Sequence, residues 1–182
     1  MDHFPPLEAA ATERIHASFA KQGAMTTVGA RLTHLARGQV HLCFDWAPAL
    51  TQQHGFIHAG MMATVLDSAC GYAGLSVMPL EAGVLSIEFK INLLAPAKGQ
   101  SFRCEGVVLK PGRTIVVTEG RAYAIDGGPR KTGRHHELHP DGARKPPWHC
   151  CGVSQSAEIF KILNIFQGDN HDQPARPELP AW

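Results

Sequence analysis

Residues 59 to 78, AGMMATVLDSACGYAGLSVM, are small and apolar almost throughout, and Pro79 closes the run. So long an apolar segment exceeds an ordinary strand and ends where proline forbids helix continuation, which predicts a buried helix over 59–78. Its glycines and alanines weaken helix propensity, but they let another backbone approach closely, so the helix is predicted to lie directly on a sheet. One residue does not belong to such a surface. A carboxylate there is costly unless donors satisfy it or chemistry uses it, which makes Asp67 the first candidate for function.

The segments around this helix supply the sheet. Leu7, Ala11, Ile15 and Phe19 recur at i+4 steps, giving an amphipathic helix closed by Gly23. TVGARLTHL and QVHLCFDW alternate around Ala36-Arg37-Gly38 and read as a hairpin. After residue 82 come three strands, GVLSIEFKINLLAPA, SFRCEGVVLK and TIVVTEGRAYAID, the last two joined by Pro111-Gly112-Arg113. In the first, Ile87, Phe89, Ile91 and Leu93 fall on one face and Ser86, Glu88, Lys90 and Asn92 on the other. The expectation is α+β: an antiparallel sheet with a long helix on its inner face.

Residues 1–24 form the leading helix and 25–128 the main domain, while 129–182 are atypical. This last stretch holds seven of the 13 prolines and five of the 11 histidines, and strand-like alternation stops. VSQSAEIFKILNIFQ, with Ile159, Leu163 and Phe166 spaced i+4 and i+3, is predicted as a short helix; the rest reads as linker or disorder. A second reading uses the genetic code. One choice of codons for residues 131–143, read one base on, encodes KLVATMNSTLMA, a strand-like run that would continue the sheet. A frame slip near residues 128–131 would therefore leave the C-terminal strand lost or replaced, and the coding DNA tests this.

A net charge of +1 carries no footprint for nucleic acid or an anionic membrane, so the expected partner is a small molecule. With no signal-like N-terminus and no apolar run long enough to span a bilayer, a cytoplasmic protein is expected. Five cysteines without framework spacing read as free thiols. His135-His136-Glu137-Leu138-His139 and His149-Cys150-Cys151 lack the spacing of a zinc protease, and no metal is expected.

His58 stands where the long helix should begin, and the amides of Ala59 and Gly60 there lack intrahelical partners. Such a tip can cap itself with His58 or stabilise an oxyanion. His58 and Asp67 lie nine residues apart, so on one straight helix they are roughly 13 Å apart and about half a turn out of phase. Two copies about a two-fold axis can bring the tip of one to Asp67 of the other.

HGFIHAGMMATVLDSACGYAG followed by SIEFKINLLAPAKG resembles the hotdog-fold acyl-CoA thioesterases of the PaaI-like branch, over about residues 25–126. The pattern there is Asn-x-x-Gly-x-x-His-Gly-Gly, an Asp nine residues after the His, then a strand ending near Pro-Ala. The resemblance implies a hotdog fold, a homodimer or dimer of dimers with sites between subunits, and hydrolysis of acyl-CoA without a further cofactor. It implies that His58 positions the thioester, that Ala59 or Gly60 polarises its carbonyl, and that the partner's Asp67 acts as general base or nucleophile, with Ser86 orienting water. Gln52 stands for the Asn, Gly55 matches the loop glycine, and Ala59 replaces the first Gly. An acyl slot of Met61, Met62, Tyr72 and Phe89 and CoA phosphate contacts from Lys110 and Arg113 are the remaining expectations. The same scaffold can also bind an acyl thioester or another apolar ligand without cleaving it, or serve as an inactive subunit.

Overall fold

A computed structural model describes residues 4–125 and, as backbone, the strand over 156–169. Helix α1 (Ala9–Phe19) and a short helix α2 (Gly23–Val28) lead into the hairpin of β1 (Arg31–Ala36) and β2 (Gln39–Asp45). Then follow the central helix α3 (Ala59–Leu75), strands β3 (Gly83–Leu93), β4 (Ser101–Lys110) and β5 (Ile115–Ile125), and finally β6 (Ser156–Asp169). The six strands form one antiparallel sheet in the order β1-β2-β4-β5-β6-β3, and α3 packs on its inner face.

The core lies between α3 and the middle strands. Phe44 and Phe102 are directly opposed on β2 and β4, with rings stacked 5.2 Å apart, and Val65, Leu66, Ala69 and Cys70 of α3 are fully buried over the sheet. Close approach of helix to sheet is made possible from the sheet side. A Cβ on Gly106 of β4 would stand 2.4 Å from the Ala69 carbonyl oxygen and 2.6 Å from the Cys70 nitrogen.

Four expectations need correction. Residues 23–28 are helical, so the first strand starts at Arg31 and not at Thr27; Met25 and Val28 are buried from α2, and Gly29 ends it with φ 71°. Helix α3 stops at Leu75, before Pro79, because Ser76 turns inward: its hydroxyl donates to the Ala73 carbonyl and accepts the Gly38 amide. The segment predicted as a short helix is β6, which pairs with β5 on one side and β3 on the other. Its isoleucines and phenylalanines suit a strand, and a slot with two open ladders outweighs the i+3/i+4 spacing. The sheet thus has its closing strand; the frame-slip reading of 131–143 lies outside the described residues.

The fourth correction concerns β3. A bulge interrupts its pairing with β6 between Ser86 and Glu88, which leaves Ile87 as the extra residue and reverses the pleat. Val84 and Ser86 face α3 before the bulge, yet Ile91 packs on the core after it. The regular two-face alternation predicted for this strand therefore fails. Leu85, Ile87, Phe89 and Leu93 remain half or more exposed along a strand whose only pairing partner among the described residues is β6.

Candidate active site

The loop before α3 is built around its own hydrogen bonds. The Gln52 amide donates to the Phe56 carbonyl and the Gly55 amide to the Gln52 carbonyl, while Gly55 takes φ 82°, which favours glycine. The Gln52 side-chain oxygen accepts from the His54 amide, and Trp46 Nε1 donates to the Gly55 carbonyl at 3.0 Å. His58 is then fixed by its amide on the Leu50 carbonyl, 2.9 Å.

At the helix tip His58 is the N-cap, its Nδ1 accepting the Gly60 amide at 2.9 Å. Two consequences follow. An accepting Nδ1 carries no proton, so Nε2 is the donor. The Gly60 amide is already engaged, which leaves the Ala59 amide as the tip donor not used by the cap. An apolar groove of about 550 Å³ begins here, lined by Gln52, Phe56 and Ala59 with Leu93, Leu94 and Pro96.

Asp67 lies on α3, half-buried, and accepts a hydrogen bond from Ser86 Oγ at 3.0 Å. Ser86 reaches it because the bulge at Ile87 keeps that part of β3 turned to the helix. Ser86 therefore holds the carboxylate itself. Beside Asp67 is a second cavity of about 320 Å³, whose wall includes Arg14, Ser18, Gln22, Ser68 and Tyr72. Burial pushes the Tyr72 phenol up, opposed by its hydrogen bond with Ser18, 3.3 Å long. Ser68 donates to the Gln22 side chain at 3.1 Å. Arg14 donates to the carbonyls of Leu75 and Pro79 at the end of α3; burial lowers its pKa, opposed by Glu81.

Within one copy, then, the predicted residues form two groups: Gln52, Gly55, His58, Ala59 and Gly60 at the tip, and Asp67, Ser86 and Tyr72 at the second cavity. The two linings share no residue. The expected acyl slot is not assembled. Met62 is 0% exposed in the core with its sulfur 3.7 Å from Cys104 Sγ, Met61 packs against the same core, and Phe89 is 50% exposed on β3. Lys110 and Arg113 are exposed around the β4–β5 turn and line neither cavity. The sequence reading missed Arg14, Ser18 and Gln22, although their i+4 spacing marks a polar stripe running from α1 to the residue that caps α2.

Among the described residues no three His, Cys, Asp or Glu side chains converge as a metal site, and no helix is long and apolar enough to cross a membrane. The histidine and cysteine runs at 135–139 and 149–151 lie outside the described residues.

Comparison with known proteins places these features in context. The profile of the thioesterase superfamily matches residues 54–130. A thioesterase family protein from Silicibacter pomeroyi is 40% identical, with a TM-score of 0.71 covering 87% of this chain and 97% of that one. The E. coli PaaI protein from the phenylacetic acid degradation operon shares the fold, with a TM-score of 0.65, 12% identity, and coverage of 88% and 94%. A candidate esterase of Saccharolobus solfataricus is 32% identical over 96 residues, 53% of this chain; the match spans 63% of that relative's length.

Proposed function

Because the chain belongs to the thioesterase superfamily, of the PaaI-like hotdog kind, we propose that it hydrolyses acyl-CoA thioesters at sites shared between two copies. The observation that carries this reading is the separation of the tip groove from the Asp67 cavity. The exposed apolar row of β3 supports it, since an edge strand of this kind is a template for pairing. Antiparallel pairing of two β3 strands about their midpoint, Glu88, would set Gly83 of one copy against Leu93 of the other. Gly83 lines the Asp67 cavity and Leu93 the tip groove. One two-fold contact would thus join one copy's acid to the other's tip twice over.

In that arrangement the thioester carbonyl oxygen meets the Ala59 amide, at the positive end of α3, with His58 Nε2–H as a second donor. Asp67, held by Ser86, takes a proton from water as its oxygen attacks the carbonyl carbon, or attacks that carbon itself. Collapse of the tetrahedral intermediate breaks the carbon–sulfur bond, and the thiolate of CoA leaves and is protonated; on the second route this leaves a mixed anhydride of the acyl group with Asp67, which water then cleaves to release the acid and restore the carboxylate. An acceptor-only carboxylate suits either route.

The test is complementation. Asp67→Asn removes the acid, and Ala59→Pro removes the tip amide at a first helical position where proline is well tolerated. Each homodimer should lose thiol release, by about 100-fold or more for Ala59→Pro. Co-refolding equal amounts should restore about a quarter of native activity, since half the dimers are mixed and each holds one intact site. No recovery, with mixed dimers verified by mass, overturns the shared site. Binding of an acyl-CoA by the native protein without thiol release would favour the non-catalytic reading.

A further inference from the structure

The cavity beside Asp67 differs in chemistry from the groove at the helix tip, and the difference bears on what the acyl group is. We propose that this cavity receives the acyl end of the substrate and selects small acyl groups that carry a neutral hydroxyl or carbonyl at the end away from the thioester. The proposal rests on the thioester-hydrolase reading above.

Size gives the first argument. At about 320 Å³ the cavity stands at the lower end of small-molecule sites, roughly 300 to 1,000 Å³, and cannot hold coenzyme A. The acyl group is the end of the substrate that can terminate inside protein, whereas the phosphates of the carrier need solvent. The cavity wall gives the second. Ser18 with Tyr72, and Ser68 with Gln22, are hydrogen-bonded pairs in that wall. A hydroxyl offers one donor and two acceptor positions, and a carboxamide two N–H donors, so neither pair exhausts its partners. A saturated chain would strip water from these groups and return nothing; a terminal hydroxyl or carbonyl restores the lost bonds. Charge gives the third. Asp67 in the wall disfavours a carboxylate on the substrate, and the one cation of the wall among the described residues, Arg14, donates to the Leu75 and Pro79 carbonyls and has its charge opposed by Glu81. The group selected is therefore polar and neutral. Two of the selecting residues, Ser18 and Gln22, come from the N-terminal helical segment, outside the helix and strand that carry Asp67 and Ser86.

The experiment uses the full chain and measures kcat/KM for hexanoyl-CoA and its omega-hydroxy and omega-carboxy counterparts. The expected order is hydroxy, alkyl, carboxy, with hydroxy favoured over alkyl by roughly tenfold, the worth of one or two recovered hydrogen bonds. Tyr72→Phe and Gln22→Leu should each shrink the hydroxy-to-alkyl ratio; Gln22→Leu, outside the core, keeps the test standing should Tyr72→Phe fail to fold. Equal rates for hydroxy and alkyl, a preference for the alkyl or carboxy substrate, or a ratio unmoved in folded variants overturns the proposal. Thiol release without discrimination removes only this inference. No release from any thioester removes the hydrolase reading as well.

Discussion

Replacing Gly106 with alanine tests how α3 is seated. The added Cβ would lie 2.4, 2.5 and 2.6 Å from the Ala69 oxygen, the Ala69 carbon and the Cys70 nitrogen. These are backbone atoms of a helix, so no side-chain rotation relieves the clash. To bring the nearest contact to 3.4 Å, α3 must lift from β4 by 1.0 Å, the difference between 3.4 and 2.4 Å. Such a lift loosens Val65, Leu66 and Ala69, all fully buried over the sheet. Overpacking costs typically 1 to 3 kcal/mol, and a clash with backbone belongs at or above the top of that range, about 3 kcal/mol. For a domain of this size that corresponds to a melting point lower by roughly 6 to 12 °C. Gly23→Ala is the control: its Cβ would meet nothing within 4 Å at the first position of α2, so alanine there should be neutral or stabilising by up to about 1 kcal/mol. Urea melts of the two variants compare them directly. A Gly106→Ala protein within about 0.5 kcal/mol of native stability would refute the close seating of helix on sheet.

Two further perturbations follow from the same structure. His41, its ring tilted against that of His34 at 4.6 Å and with its Nε2 buried without a partner, has its pKa lowered to about 4 by burial, then by His34 and Arg103. Its folded pKa lies below the unfolded value of 6.5, so its contribution is intact above pH 6.5 and is lost as pH falls toward 4. The loss is at most about 3 kcal/mol, and His41→Gln should flatten that limb of the stability curve measured by urea denaturation; an unchanged limb would show that His41 is not responsible. On the edge strand, Ile87→Lys or Phe89→Glu should yield monomers in sedimentation and abolish thiol release together. A monomer with native turnover would remove the two-copy site.

Much of this architecture was legible in the sequence because its strongest signals are long and regular. The apolar run from residue 59, the alternation of β4 and β5 and the turn at Pro111-Gly112-Arg113 each follow from one period sustained over many residues. Asp67 and His58 stood out for the opposite reason, as a charge in an apolar helix and a polar residue at its start. What escaped notice depends on partners distant in the chain. Residues 23–28 and 156–169 are ambiguous locally, and neighbouring elements decide them: Met25 is drawn into the core, and β6 is drawn into the gap between β5 and β3. Met62 and Phe89 fit an apolar slot by composition alone; only the fold reveals that one is sealed in the core and the other is half exposed on the edge strand.

The bulge at Ile87 ties these levels together. Without it, strict alternation from Val84 would turn Ile91 away from α3, or, counting back from Ile91, would turn Ser86 away from Asp67. A regular strand can satisfy the core or the carboxylate, but not both. One extra residue lets the first half of β3 present a hydroxyl to Asp67 and the second half present Ile91 to the core. The same irregularity leaves Ile87 itself 54% exposed on the edge strand, in the row proposed to meet a second copy. Local rules fail most often where function requires it, and here a single break in the pleat serves the position of the acid and the surface that would bring it a neighbouring helix tip.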